Sequence, residues 1–393
     1  MSEWMTVSYG DVTSNIRTRA QANADSEQLL SVTAANGVIG QSHSGRRDIS
    51  AADKSNYLVV EPGDVVYNTM RMWQGVSGFS EMRGIVSPAY TVLRPSERAL
   101  DGRFLAHLMK LPSNIRKYRS YSQGLVSDTW NLKFGVLSDL ELKIPPLGEQ
   151  RRIAEVLDTI EATIRASVRV IAKLRLQLRG ATNDLLKIGQ DWNHGTVGSL
   201  LAAIDTGKSP VAENRPPGPA EWGVLKVSAV HSEGFRPQEV KAVPSALIRR
   251  DDEVRHGDVL MTRANTTALV GMCCYVDSPP PRLQLSDKTL RLIPNSRVYP
   301  TFLVLLLQSQ SVRDQIERDG TGSSGSMKNI SQQEIRSLTV SWPAKQVQEQ
   351  ILDSLGAIVN RIRTETECVA KLQRTRSGLA NDLLSGRVRT VAA

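Results

Sequence analysis

The sequence predicts an α/β fold, with two mixed α/β domains that are separated by two long helices forming an antiparallel coiled coil, and with an internal pseudo-two-fold repeat. Two observations support this prediction: the chain of 393 residues repeats its own sequence at a constant offset, and both copies end in a stretch of heptad periodicity. A chain of this length can bury two or more cores of ordinary size. We therefore predict a domain, a helix, a second domain and a second helix, at residues 1–144, 145–190, 191–342 and 343–393.

Each predicted domain combines short apolar runs with longer amphipathic stretches. Residues 57–60 and 65–67 are apolar runs separated by a Pro-Gly pair, which is typical of strands connected by a turn. Residues 104–118 and 302–316 are predicted to be helical.

The repeat is clearest where two long stretches match without a gap. Residues 131–153 match residues 329–351 at an offset of 198 positions (329 − 131). Further upstream the offset drifts, as loops of unequal length would cause, but Gly63-Asp64-Val65 still corresponds to Gly257-Asp258-Val259. The offset of 198 also relates three further pairs: Phe104-Leu105 and Phe302-Leu303, Lys173-Leu174 and Lys371-Leu372, and residues 183–186 and 381–384.

The two helical stretches each follow a proline, Pro146 or Pro343, and their apolar residues recur at alternating steps of four and three. An isolated helix more often packs such a stripe on its own domain, but two matching helices in one chain favour pairing with each other. The seam of the second helix is interrupted at Glu365 and Arg376. The first helix would extend about 54 Å from residue 153 to residue 188. We predict that the following residues pair the helices: Ile153, Leu157, Ile160, Ile164, Ile171, Leu174, Leu178, Ile351, Leu355, Ile358, Ile362 and Leu372.

The charge balance favours a polyanionic partner. Lysine and arginine number 49 against 40 aspartate and glutamate, which gives a net charge of +9. Nucleic acid is the leading candidate for such a partner, although many basic proteins bind none. The chain shows neither a membrane-spanning stretch nor a secretory signal, and its three cysteines form no disulfide or zinc pattern. We expect a cytoplasmic protein.

The stretch Ile144-Pro145-Pro146-Leu147-Gly148-Glu149-Gln150, followed by a long heptad helix, resembles the conserved region of the specificity subunits of Type I restriction-modification systems. The preceding loop, from Gln123-Gly124 to Asn131-Leu132, and the Gly-Asp-Val element resemble the same family. The resemblance covers nearly the whole chain and occurs twice in the expected order. The second copy keeps Pro343 and Gln348 but has lost the glutamate before the glutamine.

This resemblance implies a non-catalytic subunit that recognises a bipartite site in double-stranded DNA. Residues 1–144 and 191–342 would be two target-recognition domains that each read one half-site, and the helices would form a spacer. The helices would also dock two methyltransferase subunits, which use S-adenosylmethionine to methylate adenine. A nuclease-translocase subunit is an optional further partner. The resemblance implies no catalytic residue, metal or cofactor in this chain.

Two kinds of loop are candidates for contact with DNA. Basic side chains contact phosphates, and Arg, Asn, Gln and Thr side chains read base edges, although solvated surface loops have a similar composition. One candidate follows the Gly-Asp-Val element in each copy, and the other covers residues 116–133 and their counterpart. The predicted contacts are Asn68, Thr69, Arg71, Trp73, Gln74, Tyr118, Arg119, Gln123, Lys133, Thr262, Arg263, Asn265, Thr266, Lys328 and Asn329.

Two other classes of function remain open from the sequence. Asp139, Glu141 and Lys143 resemble part of a nuclease metal site, which would suit a stand-alone DNA-modifying or DNA-cleaving enzyme, but in a strand they form one polar face. A coiled-coil protein scaffold with an incidental basic surface is the other alternative. Gly207-Lys208-Ser209 suggests a phosphate-binding loop, but Ala202 stands where the motif requires its first glycine, so a nucleotide site is rejected.

Overall fold

The computed structural model describes residues 4–21, 24, 26–45, 48, 50–125, 129–187, 189, 191–210, 212–319 and 328–390. Two compact units are present. Unit 1 comprises Met1–Arg169 and Glu365–Ala393, and unit 2 comprises Val170–Thr364. Among the described residues, no helix is both long enough and apolar enough to cross a membrane.

Unit 1 contains strands and short helices that precede the first long helix. The strands are β1 (Met5–Ser8), β2 (Thr13–Ile16), β3 (Leu30–Thr33), β4 (Gly37–Gly40), β5 (Leu58–Val60), β6 (Val65–Asn68), β7 (Ser77–Phe79), β8 (Gly84–Val86), β9 (Tyr90–Pro95) and β10 (Glu141–Ile144). The short helices are α1 (Tyr9–Val12), α2 (Gly102–Met109), α3 (Pro112–Tyr121) and α4 (Phe134–Leu137). A four-stranded antiparallel sheet has the order β2-β9-β6-β7, and the pairs β1-β10, β3-β4 and β5-β8 lie outside it.

The central sheet of unit 1 is buried on both faces because alternate residues of a strand point to opposite sides. Val65 and Tyr67 pack in the same core as Phe104 of α2. Val66 lies between them in sequence and packs in a second core with residues of β3 and β4. Strand β6 is therefore packed against a core on each face, which also fixes the position of its end at Asn68.

Unit 2 repeats this plan with additional short strands. Its strands are β11 (Asn193–Thr196), β12 (Leu201–Thr206), β13 (Trp222–Leu225), β14 (Val230–His231), β15 (Gly234–Phe235), β16 (Val240–Val243), β17 (Val259–Thr262), β18 (Ala264–Asn265), β19 (Cys273–Tyr275), β20 (Leu283–Gln284), β21 (Thr289–Pro294), β22 (Lys328–Asn329) and β23 (Thr339–Trp342). Its short helices are α6 (Pro300–Gln308), α7 (Gln310–Asp319) and α8 (Gln332–Ser337). The four-stranded sheet has the order β12-β21-β17-β19, and β11 pairs with β23. The sheet of unit 1 has the same strand order when the strands of the two copies are matched.

The two long helices are α5 (Leu147–Leu185) and α9 (Lys345–Leu384). Within unit 1, Ile153 and Leu157 of α5 share a core with Leu383 of α9. Within unit 2, Ile351 and Leu355 of α9 are buried in a core against which Leu178 and Leu185 of α5 pack. The predicted mixture of strands and helices and the packing of the two long helices are therefore confirmed.

The helices run antiparallel within unit 1. Arg389, just beyond α9, lies 2.6 Å from Glu149 in the first turn of α5. Twelve residues further along α5, Glu161 pairs with Arg376, which lies thirteen residues earlier in the chain than Arg389. The predicted interruption of the seam at Arg376 is therefore an interhelical ion pair.

The stretches predicted to be helical at residues 104–118 and 302–316 are helical, but each contains two helices. The first stretch contains α2 and α3, and α3 begins at Pro112, which cannot donate the backbone hydrogen bond needed to continue α2. The second stretch contains α6 and α7, which are separated at Ser309. Ser309 has an extended backbone, and its hydroxyl donates to the Leu306 carbonyl.

Candidate nucleic-acid interface

The Gly-Asp-Val element forms the same turn in both units. Gly63 has φ of 101° and Gly257 has φ of 91°, values that glycine adopts at little cost. The following aspartate closes the turn, because its side chain accepts a backbone hydrogen bond at 2.9 Å from Glu61 in unit 1 and from Arg255 in unit 2. The element thus fixes where β6 and β17 begin.

The aspartate of this element also anchors an arginine of the neighbouring strand. Arg94 on β9 donates to both carboxylate oxygens of Asp64, at 2.8 and 2.9 Å. Arg291 on β21 lies 3.0 Å from Asp258. The Gly-Asp-Val element therefore has a structural role. It fixes the start of β6 or β17, and thereby positions the loop that follows the other end of that strand.

The glutamines of the stretch 144–150 and of its second copy, Gln150 and Gln348, also have a structural role. Gln150 is fully buried; its side chain accepts a hydrogen bond from the Asp101 N–H at 2.9 Å and donates to the carbonyls of Ala99 and Pro145 at 2.9 and 2.8 Å. The side chain of Gln348 likewise accepts from the Tyr299 N–H at 3.1 Å and donates to the Arg297 and Pro343 carbonyls, both at 2.9 Å. Each glutamine joins the start of a long helix to the segment that precedes α2 or α6.

In unit 1, backbone contacts bring the two predicted loops together. The loop after β6 meets the later segment where the Leu132 N–H donates to the Thr69 carbonyl at 2.9 Å. Gln123 and Asn131 exchange two backbone hydrogen bonds, both 2.9 Å long. We call residues 68–74, 116–123 and 129–133 together the unit 1 loop surface. The two candidate loops of the sequence are thus parts of one surface.

An aromatic and cationic group lies at the centre of the unit 1 loop surface. The rings of Trp73 and Trp130 meet edge to face with centroids 5.5 Å apart. The guanidinium carbon of Arg119 lies 5.6 Å from the centroid of the Trp130 ring. The sequence prediction did not single out Trp130, although it lies within the basic and aromatic stretch that drew attention to residues 116–133. This group can offer a planar cation and aromatic edges to a base.

The remaining predicted residues of this surface are placed by local hydrogen bonds. Asn68 accepts from the Met70 N–H at 3.0 Å, and the Thr69 hydroxyl donates to the Ala89 carbonyl at 2.8 Å. Arg71 is partly exposed. Three further candidates are exposed: Gln74, Gln123 and Lys133.

In unit 2, the corresponding segments meet through an equivalent contact. The Ile330 N–H donates to the Arg263 carbonyl at 2.9 Å, and β18 pairs with β22 so that Asn265 faces Lys328. Arg263, Thr266 and Asn329 are exposed. We call residues 263–266 and 328–330 the unit 2 loop surface. The Lys328 ammonium donates to the Glu317 carbonyl at 2.9 Å. At the offset of 198 positions, Lys328 corresponds to Trp130 of unit 1.

Two of the predicted DNA contacts were wrong. Tyr118 is only 1% exposed and its hydroxyl is hydrogen-bonded to Tyr9, and burial raises the pKa of the Tyr118 phenol well above its ordinary value. Thr262 is fully buried, and its hydroxyl donates to the Leu269 carbonyl at 2.9 Å. Neither side chain can reach a ligand on the surface. Both stand next to exposed residues in sequence, which is why composition alone suggested them.

The predicted helix-pairing residues lie on the sheltered sides of α5 and α9. The fully or nearly fully buried ones are Ile153, Leu157, Ile171, Ile351 and Leu355. The others are half-buried: Ile160, Ile164, Leu174, Leu178, Ile358, Ile362 and Leu372.

The residues considered for a nuclease metal site are not arranged as one. Glu141 and Lys143 are exposed residues of β10, and each lies opposite a residue of β1. In the part of the chain that the structure describes, no three His, Cys, Asp or Glu side chains are grouped so that they could hold a metal ion.

The sequence is similar to known DNA specificity domains and specificity subunits of Type I restriction enzymes. Residues 1–175 match the family described as "Type I restriction modification DNA specificity domain". The specificity subunit of the Type I restriction enzyme EcoEI from Escherichia coli is 33% identical over 173 residues, which are 43% of this chain and 29% of that protein. The EcoKI specificity subunit from Escherichia coli strain K12 is 27% identical over 281 residues, covering 66% of this chain and 59% of that protein. The chain therefore spans less than two thirds of the length of either relative.

Similarity of fold extends over almost the whole chain. The crystal structure of a Type I restriction-modification system S subunit from M. genitalium matches with a TM-score of 0.57 and 12% identity. The match covers 97% of this chain and 96% of the other.

Proposed function

Because this chain resembles the specificity subunits of Type I restriction-modification systems, as its repeated motifs predicted, we propose that it is a DNA-recognition subunit that directs partner enzymes to a bipartite target. The observation that carries the proposal is the match of residues 1–175 to a DNA specificity domain. The two loop surfaces agree with it, because both emerge at the same end of the equivalent sheet and expose side chains suited to base edges and phosphates.

Each unit contributes one reader in this proposal. The unit 1 loop surface reads one half of the target and the unit 2 loop surface reads the other. The paired helices separate the half-sites and dock two methyltransferase subunits. Those partners bind S-adenosylmethionine and methylate adenine, while this chain contributes recognition only. A nuclease-translocase subunit would add cleavage to the same complex.

The proposal is tested by mapping methylated adenines in cells that express this chain with its methyltransferase partner. We expect one split sequence, with two specific halves and a gap of constant length. Cells with either protein alone should show no such methylation. Methylation by this chain without a partner, or methylation without a split motif, would contradict the proposal.

A further inference from the structure

Two of the three residues in Gly207-Lys208-Ser209, the stretch rejected as a nucleotide-binding loop, have structural roles. A Cβ atom at residue 207 would overlap the backbone carbonyl of Leu285, so only glycine permits this close approach. Ser209 donates a hydrogen bond to the Asp287 carboxylate and accepts one from the Asp287 N–H at 3.4 Å. Glycine and serine therefore fix the segment against the turn before β21. Lys208 is left exposed on the fixed backbone.

Lys208 is one of three cations at a single end of the unit 2 sheet. Strands β12, β21 and β17 are neighbours, and the residue pairs Thr206–Leu290 and Thr262–Thr289 lie at this end. Lys208 follows the end of β12, Lys288 precedes β21, and Arg263 follows β17. Neighbouring strands are about 4.8 Å apart, so three adjacent strands place these attachment points within about 10 Å across the sheet.

A main-chain hydrogen bond joins two of the residues that carry these cations. The Arg263 N–H donates to the Lys288 carbonyl at 2.8 Å. All three side chains are exposed, and none forms an ion pair with a residue in the described ranges. The nearby Asp287 accepts a hydrogen bond from the Ser209 hydroxyl. Lys208 and Lys288 therefore border the unit 2 loop surface as exposed cations, and Arg263 belongs to that surface.

Unit 1 has a related arrangement at the same end of its sheet. Arg17 is exposed and directly follows β2, the strand that corresponds to β12. The Thr69 N–H donates to the Ala89 carbonyl at 3.2 Å, as Arg263 does to Lys288. A cation after the first strand of the sheet is therefore common to both units, while a second cation in the adjoining turn is specific to unit 2.

We propose that Lys208 and Lys288 bind phosphate groups of the DNA backbone and thereby position Arg263 and the rest of the unit 2 loop surface over the bases. This inference rests on the proposed function. Lysine acts as a compact point charge without the planar donor pattern that distinguishes bases, so it suits phosphate better than a base edge. Contacts of this kind add affinity that is independent of sequence and sensitive to salt.

The test compares the wild-type chain with the double variant Lys208→Ala/Lys288→Ala, each in complex with the co-expressed methyltransferase partner. Binding is measured by fluorescence anisotropy over a range of salt concentrations, with a duplex of arbitrary sequence and with the mapped target. We expect the logarithmic salt slope to fall by about 1.8, because each phosphate contact contributes about 0.9. Affinities for the two duplexes should fall by the same factor, so the specificity ratio is retained.

The matched control is Arg255→Ala/Arg297→Ala, which removes two exposed cations near the opposite end of the same sheet. The control should retain the wild-type salt slope. An unchanged slope in the lysine variant, or an equal loss in the control, would overturn this inference while leaving the proposed function intact. A wild-type complex that binds neither duplex would instead overturn the proposed function.

Discussion

Residues at equivalent positions of the two loop surfaces differ in their chemistry. Trp130 corresponds to Lys328 and Arg119 corresponds to Glu317, at the same offset of 198 positions. In unit 1 the cation lies on the helix and the aromatic ring on the facing segment; in unit 2 the facing segment carries the cation. The two loop surfaces therefore present different groups on a similar backbone, which suits the proposed recognition of two unlike half-sites.

In the proposed function, substitution of Arg119 and Trp130 should affect only the half-site assigned to unit 1. We expect Arg119→Ala to weaken binding to the target by about 1–3 kcal/mol if it contacts a base. Trp130→Ala should weaken binding by about 0.5–1 kcal/mol, since it removes the ring that orients the guanidinium. The double variant should show less than the sum of the two effects. Lys328→Ala is the corresponding substitution for the other half-site. Additive effects of the Arg119 and Trp130 substitutions on binding, or weaker recognition of both half-sites, would contradict the assignment of these residues to one half-site.

The buried glutamines give a prediction about stability. Gln150→Ala leaves a backbone N–H and two carbonyls without their partner, at a cost of about 1–3 kcal/mol for each group that water cannot reach. Gln348→Ala should have a similar effect in unit 2. Gln346→Ala, at an exposed position in the first turn of α9, should change the free energy of unfolding by less than about 0.5 kcal/mol. Denaturant unfolding measures all three, and equal stability of Gln150→Ala and Gln346→Ala would rule out this role.

Sequence composition identified the right loops but could not distinguish exposed from buried residues within them. Tyr118 stands beside Arg119, yet one faces the core and the other the surface, because successive helix residues point in directions about 100° apart. Thr262 is the last residue of a buried strand and Arg263 is the first residue beyond it. Whether Trp130 would meet Trp73 depends on a pairing between distant segments, which local sequence does not encode.

Among the structural elements, the starts of the two long helices differ in a way that explains the missing glutamate of the second copy. Glu149 is buried against Arg389, with two hydrogen bonds of 2.7 and 2.6 Å. At the offset of 198 positions, these residues correspond to Val347 and Asp191. Neither a glutamate nor an arginine stands at these equivalent positions, so the missing glutamate leaves no arginine without its partner there.

The Glu149–Arg389 pair predicts a stability difference that depends on pH. Hydrogen bonds from Arg389 lower the pKa of Glu149 below its ordinary value. A carboxylate with a lowered pKa contributes stability above the pKa of the unfolded chain and loses that contribution as pH falls toward the pKa of the folded state. Glu149→Gln should therefore be less stable than the wild type at neutral pH, by about 1–3 kcal/mol, and the difference should shrink as pH falls below about 4.3. Thermal unfolding at a series of pH values measures this, and a difference that stays constant down to pH values well below 4 would refute the pairing.

Heptad periodicity predicted the long helices and their pairing because the pattern extends over many turns. The break at Arg376 was less informative, since its partner Glu161 lies on the other helix. The division of residues 104–118 into α2 and α3 was in principle accessible, because Pro112 stands in the middle of the stretch.

At the scale of the whole molecule, the proposed spacer leads to a prediction about the DNA target. Seven residues inserted after residue 166 in α5 and after residue 370 in α9 preserve the heptad register and lengthen both helices by about 10.5 Å. If the helices set the distance between half-sites, the methylated target should gain a gap of about 3 base pairs, at about 3.4 Å for each pair. Adenine methylation mapping would reveal the change. The same gap in wild type and variant would refute the spacer function.

The contact that holds each loop surface in place is made by main-chain atoms: Leu132 to Thr69 in one unit and Ile330 to Arg263 in the other. Every amino acid supplies a carbonyl oxygen, so mutation of Thr69 or Arg263 does not remove the acceptor of this bond. The side chains at these positions can therefore change while the main-chain contact beneath them is kept. In the proposed function, a change of target in one half would then require no compensating mutation at this main-chain contact.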